Sequence, residues 1–186
     1  VVTICRPEDS AERISHSSGR AMDGVEVKLV DPEGNEVPAG TDGEICCRGF
    51  NVMQQYFNNP EATAETVNAQ GWLHTGDVGV MDEDGYVKIT GRIKEMFIVG
   101  GFNCYPAEIE NILCDMPGVA RAAVIGVPDE RMGEVARAYL VLDADAEADE
   151  AAVIEYSRGA MANFKVPRPF PALDVLPRNA SGKVTR

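Results

Sequence analysis

The stretch that decides the fold runs from Gly71 to Glu110 and reads GWLHTGDVGVMDEDGYVKITGRIKEMFIVGGFNCYPAEIE. Its middle carries Asp-Glu-Asp-Gly at 82–85 between two apolar segments, which predicts a β-hairpin. The pair Gly100-Gly101 predicts a second tight turn, because glycine adopts a positive φ at little steric cost. Pro106 then opens an apolar pattern with helical spacing. We therefore expect this stretch to end one domain and to begin another.

The pattern of apolar residues on both sides predicts an α+β fold in two parts. The composition changes after Arg92, which predicts domains at 1–92 and 93–186, and residues 1–20 are too polar and irregular to predict an element. The first domain is predicted to be mostly β, with strands at 25–30, 43–48, 78–81 and 86–90 and a short helix from Pro60. The second is predicted to follow the order β, α, β, β, α, β at 97–99, 106–113, 119–125, 135–142, 147–161 and 170–175.

The charge of the chain argues against two classes of partner. Lys and Arg total 17 against 30 Asp and Glu, so the formal net charge is −13. A field of this sign repels nucleic acid and anionic membrane surfaces. No apolar run approaches the roughly 20 residues that a membrane-spanning helix needs. We therefore expect a cytoplasmic protein with small-molecule partners and no transmembrane segment, and a homodimer stays open.

The cysteines and histidines predict neither a disulfide framework nor a metal site. The five cysteines are irregularly spaced without a C-x-x-C pair, and there are only two histidines. We expect reduced thiols. The acidic run at 82–84 lacks the spacing of a calcium loop, so a solvated turn is the better interpretation. No nucleophile lies near His74 in the sequence, which leaves a hydrolase triad with little support.

Three motifs in a fixed order carry a resemblance to a known family: WLHTGD at 72–77, TGR at 90–92 and PRNASGK at 177–183. With them the chain resembles the C-terminal portion of an AMP-binding, adenylate-forming acyl-CoA synthetase, and is most similar to the fatty-acid–CoA ligases. The resemblance implies that residues 1–92 are the β-rich end of a large AMP-binding domain and that 93–186 form a small mobile C-terminal domain.

The resemblance also implies a reaction in two steps. A carboxylic acid, expected to be a fatty acid, reacts with ATP to give an acyl-adenylate, and the acyl group then passes to the thiol of CoA. ATP or AMP, CoA and Mg²⁺ are the implied cofactors. The phosphate loop, most of the metal ligands and the acyl pocket are expected in a segment that precedes Val1. Two alternatives stay open: an acyl-AMP ligase or adenylation domain that serves a carrier protein, and a chain that is non-catalytic by itself.

Two residues are expected to hold the nucleotide. By itself, Asp77 is a carboxylate at the entry of a strand, where a turn cap is the commoner role. The resemblance assigns Asp77 to the ribose of ATP, with Trp72 in the same motif. Arg92 would otherwise be a surface residue at a strand end. The resemblance places its planar guanidinium, which Lys does not reproduce, near the ribose or the phosphates.

The remaining expectations concern catalysis and motion. The resemblance makes Lys183 the catalytic cation for adenylation, because it would offset the charge of two approaching anions. Lys94 matches the hinge position of the family, and would otherwise be a solvated linker charge. Gly100 and Gly101 would line the tunnel for the pantetheine arm of CoA, and would otherwise be a simple turn.

Overall fold

The computed structural model describes residues 2–144, 146, 149–168, 173, 175–182 and 184, and every structural statement below refers to them. The chain divides into two compact units, 1–94 and 95–186, which are described separately. Both combine antiparallel sheets with short helices, so the predicted α+β class is confirmed. The assignment of 1–92 to a large domain and of 93–186 to a mobile one stays a prediction.

The first unit is built on an antiparallel sheet of four strands that neighbour one another in chain order, at Val25–Val30, Asp42–Gly49, Leu73–Met81 and Val87–Arg92. A two-stranded sheet pairs Thr3–Ile4 with Arg20–Ala21. A 3-10 helix at Ile93–Glu95 follows the last strand. The elements are β1 (Thr3–Ile4), α1 (Ala11–His16), β2 (Arg20–Ala21), β3 (Val25–Val30), β4 (Asp42–Gly49), α2 (Pro60–Thr66), β5 (Leu73–Met81) and β6 (Val87–Arg92).

The sequence predicts no element in residues 1–20, whereas the structure has β1, α1 and the start of β2 there. Helix α1 begins after Ser10, whose hydroxyl accepts a hydrogen bond from the Arg13 N–H at 3.2 Å. A polar N-cap of this kind satisfies one of the free donors of the first helical turn. Two strands of two residues and a helix of six are too short to leave a periodic pattern, which explains the difference.

The central sheet of the first unit buries side chains on both faces. Successive residues of a strand point to opposite faces, so the side chains of Ile45 and Cys46 lie on opposite faces of the sheet. Ile45 packs with Leu29 and Val87 on one face. Cys46 packs with Val30 and Trp72 on the other. The second of these faces also carries His74, which lies opposite Cys46 on β5.

The second unit contains a four-stranded antiparallel sheet in the order β8-β7-β10-β9, and helix α3 packs on β9. Helix α3 directs Ile109 and Leu113, one turn apart, into the core, and both are fully buried. Asp149 caps α4 by accepting the Ala152 N–H at 2.8 Å, so this helix begins three residues later than predicted. The elements are β7 (Phe97–Val99), β8 (Phe102–Cys104), α3 (Pro106–Cys114), β9 (Val119–Asp129), β10 (Gly133–Leu142) and α4 (Glu150–Ala160).

Two predictions of extended structure have different outcomes. The Gly100-Gly101 turn connects β7 to β8 as a hairpin, as expected. Most of the predicted strand at 170–175 falls outside the described residues. Within the part of the chain that the structure describes, no helix has the length and apolar character needed to cross a membrane.

Candidate functional site

Asp77 and Arg92 lie side by side on neighbouring strands. They are opposite each other in the register of β5 with β6, and Arg92 Nε lies 2.8 Å from Asp77 Oδ1. The sheet thus joins the TGD and TGR motifs, which are well separated in the sequence. Arg92 is exposed and Asp77 is partly buried. Ion pairs at the protein surface typically contribute about 0–1 kcal/mol, so the exposed guanidinium is able to turn from Asp77 to a ligand at small cost.

A short set of hydrogen bonds fixes the backbone around Asp77. The Thr75 hydroxyl donates to the carbonyl of Ile45 at 2.7 Å and accepts the Asp77 N–H at 3.1 Å. The Gly76 N–H donates to Glu44 Oε1 at 3.0 Å. Gly76 has a φ of +72°, a conformation that favours glycine. Strand β4 therefore holds the irregular segment of β5 that presents the Asp77 carboxylate.

Trp72 packs between two cations on the sheet. Its indole ring is buried, with Lys28 Nζ 4.5 Å and Arg48 Cζ 4.6 Å from the ring centroid. Arg48 also donates to both carboxylate oxygens of Glu26, at 2.9 and 2.7 Å. Cation–π contacts in which the cation stays exposed to water contribute about 0.5–1 kcal/mol each. They favour a structural role for Trp72, and its contact with a nucleotide stays a prediction.

His74 contacts two potential partners through one nitrogen. Its Nδ1 lies 2.7 Å from Glu44 Oε2 and 3.5 Å from Cys46 Sγ. The expectation that no nucleophile lies near His74 is therefore wrong. The antiparallel pairing of β4 with β5 places Cys46 directly opposite His74. Glu44 is the residue that sequence reasoning missed, since only this long-range pairing brings it to the TGD loop.

Glu44, Cys46 and His74 nevertheless do not form a catalytic triad. A triad uses one ring nitrogen of His for the nucleophile and the other for the carboxylate, whereas both contacts here involve Nδ1. Burial, followed by the negative charge of Glu44, raises the pKa of the Cys46 thiol to about 12. Because the thiolate is the nucleophile, this thiol is unreactive near neutral pH.

Backbone conformation favours glycine at both positions of the double glycine. Gly100 has a φ of +57°, and a Cβ there would lie 2.5 Å from Met132 Cε. Gly101 has a φ of +89° but no atom within 4 Å of an added Cβ. Backbone conformation therefore disfavours a side chain at both positions, whereas the Met132 methyl at Gly100 is the end of a flexible side chain and is able to move aside. Their place in a pantetheine tunnel stays a prediction.

The two predicted lysines have different positions. Lys94 is exposed, lies in the 3-10 helix and is the last residue of the first unit. Lys183 lies outside the described residues. Beside it in the sequence, Arg178 Nη1 donates to the carbonyl of Gly182 at 2.6 Å, and the Ser181 hydroxyl lies 2.8 Å from Asn179 Oδ1. The described part of the third motif is therefore a tight polar turn.

Two family models match the chain. One, described as AMP-binding enzyme, matches residues 1–57, and the other, described as AMP-binding enzyme C-terminal domain, matches residues 108–183. A (7a-methyl-1,5-dioxo-octahydro-1H-inden-4-yl)propanoyl:CoA ligase of Rhodococcus jostii is 53% identical over 100% of this chain and 34% of its own length. The chain therefore spans about a third of the length of this curated relative.

Solved structures of adenylate-forming enzymes are also similar to this chain. The o-succinylbenzoate CoA synthetase of Bacillus subtilis, in complex with its acyl-adenylate intermediate, has a TM-score of 0.89 at 37% identity, over 98% of this chain and 37% of that one. ATP-bound MatB from Rhodopseudomonas palustris has a TM-score of 0.84 at 45% identity, over 91% of this chain and 34% of that one. The chain belongs to the AMP-binding, adenylate-forming enzymes and corresponds to the C-terminal portion of an acyl-CoA ligase of this family.

Proposed function

We propose that the full-length enzyme containing this chain is an ATP-dependent, AMP-forming acid–CoA ligase. It converts a carboxylic acid and ATP into an acyl-adenylate and pyrophosphate, and then transfers the acyl group to the thiol of CoA. The observation that carries the proposal is the Asp77–Arg92 pair, which places a carboxylate and a guanidinium at one edge of the sheet. Relatives with bound ATP or a bound acyl-adenylate support it.

The pair is suited to a nucleotide by its hydrogen-bonding capacity. Arg92 Nε occupies Oδ1 of Asp77 with one bond. An ionised carboxylate accepts about four hydrogen bonds, so capacity remains for the two hydroxyls of a ribose. The guanidinium has further N–H donors that suit ribose or phosphate oxygens. In this proposal Asp77 orients the ribose, and Arg92 holds the carboxylate in place and contacts the nucleotide.

Replacing Asp77 with Ala tests this role. We expect the KM for ATP in the full-length enzyme to rise about 10- to 100-fold, since hydrogen bonds to a charged group contribute about 1.5–3 kcal/mol. Initial rates of pyrophosphate release against ATP concentration measure the change. Glu83→Ala is the matched control, because it removes an exposed carboxylate from the same unit. An unaltered ATP dependence in Asp77→Ala would make this residue structural.

Lys94 is proposed as the hinge between the conformations used by the two half-reactions. Proline fixes its own φ and restricts the backbone of the residue before it. Lys94→Pro therefore limits the change in φ and ψ that a hinge residue must absorb when the domain rotates. We expect thioester formation to slow about fivefold or more, equivalent to about 1 kcal/mol, while adenylation keeps its rate. Single-turnover assays of each step provide the measurement. If Lys94→Ala slows the second step equally, the ammonium group and not the backbone is responsible.

The acid and the acyl acceptor require separate assignment. A fatty acid is the first proposed substrate. A bicyclic propanoate is the second candidate, favoured by the 53% identity to the Rhodococcus ligase. Assaying AMP formation with a series of fatty acids and with the bicyclic acid would rank the substrates. Supplying CoA or a pantetheinylated carrier protein as acceptor would decide between acyl-CoA synthetase and the carrier-protein alternative.

The chain by itself is proposed to be inactive. It spans 34% of the length of the Rhodococcus ligase, and by family resemblance the phosphate loop and the acyl pocket lie in the remainder. Incubation of the 186-residue chain with ATP, Mg²⁺, CoA and the acids is expected to give no acyl-CoA above a protein-free control. Turnover by the chain alone would contradict this proposal.

A further inference from the structure

We propose that Glu44, Cys46 and His74 form a binding site for a divalent transition metal of the zinc class. Their donor atoms, a carboxylate oxygen, a sulfur and an imidazole nitrogen, all lie within 4.8 Å of one another. These are the three kinds of protein atom that bind Zn²⁺. This donor set favours Zn²⁺ over Mg²⁺, since thiolate and imidazole favour Zn²⁺ and carboxylate-rich sites favour Mg²⁺.

The strands, and not a flexible loop, bring the three side chains together. Glu44 and Cys46 are two residues apart on β4, so their side chains share one face of the sheet. His74 lies opposite Cys46 on β5. A site whose ligands come from paired strands has its donor positions fixed in advance.

The separations between the donor atoms are close to those of a tetrahedral zinc site. Zinc bonds of about 2.3 Å to sulfur and about 2.0–2.2 Å to nitrogen and oxygen imply separations of about 3.6 Å for S···N and about 3.4 Å for N···O. The observed values are 3.5 Å for Cys46 and His74 and 2.7 Å for His74 and Glu44. The Glu44 carboxylate must withdraw from His74 by about 0.7 Å as it exchanges this hydrogen bond for the metal, and its oxygen lies within 4.8 Å of the Cys46 sulfur.

The surroundings allow a cation to enter. The side chain of His74 is 33% exposed and that of Glu44 is 18% exposed, whereas Cys46 is buried beneath them. Metal would therefore approach from the side of His74 and Glu44, with a fourth position left for water. Lys28 is opposite Cys46 on β3, but its ammonium lies over the Trp72 ring. Glu44 supplies the negative charge before binding, and the Cys46 thiol would release its proton to solvent as its sulfur binds the metal.

Cobalt provides a direct test because Co²⁺ replaces Zn²⁺ and absorbs light. Titration of the reduced, metal-free chain with Co²⁺ is expected to give a thiolate-to-cobalt charge-transfer band that saturates at one equivalent. Equimolar Zn²⁺ should abolish the band, and excess Mg²⁺ should leave it. The readout does not involve the ligase reaction, so its result is independent of the proposed function.

Matched variants locate the site. Cys46→Ser should abolish the band and His74→Gln should weaken cobalt binding at least tenfold, with folding checked by circular dichroism. Cys47→Ser and His16→Gln are the controls, because Cys47 points to the opposite face of β4 and His16 is the other histidine. If Cys46→Ser does not fold, His74→Gln and Glu44→Gln decide the question. No charge-transfer band, displacement by Mg²⁺, or a band unchanged in these variants would overturn the proposal.

Discussion

Replacement of Lys183 by Ala is expected to slow adenylation in the full-length enzyme by about 10²- to 10³-fold, the usual effect of losing a group that stabilises developing charge. In the first half-reaction an anionic carboxylate attacks the α-phosphate of ATP, so two negative groups must approach each other. A lysine ammonium between them offsets this repulsion. The chain has 30 acidic against 17 basic residues, so the general field does not supply this charge and a local cation must.

The two half-reactions separate this role from a general loss of structure. Thioester formation from preformed acyl-adenylate and CoA should keep its rate in Lys183→Ala, because the carboxylate and the phosphate are already joined. Lys88→Ala, at an exposed lysine of β6, is the control that removes an ammonium group elsewhere. Equal losses in both half-reactions would contradict a role confined to adenylation.

Replacement of Ile109 by Ala is expected to lower the free energy of unfolding of the second unit by about 2–5 kcal/mol. Ile109 is fully buried where α3 packs on β9, within the core that includes Val124 and Leu140. Removing three carbons loses their transfer free energy and leaves a cavity that a tightly packed core fills only partly. Urea unfolding followed by circular dichroism should show a lower midpoint with an unchanged slope.

Ile98 provides a matched control for this prediction. It is the same residue type in the same unit, but its side chain is 46% exposed on β7. Ile98→Ala removes the same atoms from a position where water already reaches them, so we expect a change within about 0.5 kcal/mol. Equal destabilisation by both variants would show that burial at Ile109 does not govern the stability of this unit.

The sequence predicted the long elements better than the short ones. The hairpin formed by β5 and β6, the helix that follows Pro106, and β9 and β10 all carry a sustained apolar period. The elements before residue 22 do not, since strands β1 and β2 have two residues each. Helix α4 was predicted to begin too early, because several acidic residues precede it and Asp149 alone caps it.

The candidate site likewise has features that the sequence predicts and features that it does not. Local motifs are sufficient to select Asp77 and Arg92, but the bond between them depends on the register of β5 with β6. The association of Glu44 and Cys46 with His74 spans 30 and 28 residues of sequence. No local spacing encodes such contacts, because they arise from strand pairing. Sequence reasoning therefore selected the two candidate nucleotide residues and missed the side chains that pack beside them.

The packing of Trp72 also provides a spectroscopic reporter. Trp72 is the single tryptophan of the chain, and it lies in the first unit. Its fluorescence is sensitive to the loss of the Lys28 and Arg48 contacts, whereas far-ultraviolet circular dichroism detects the helices and sheets of both units. Coincident transitions by the two probes would indicate one cooperative unfolding event. Separate transitions would assign the fluorescence change to residues 1–94 and the remaining ellipticity to residues 95–186.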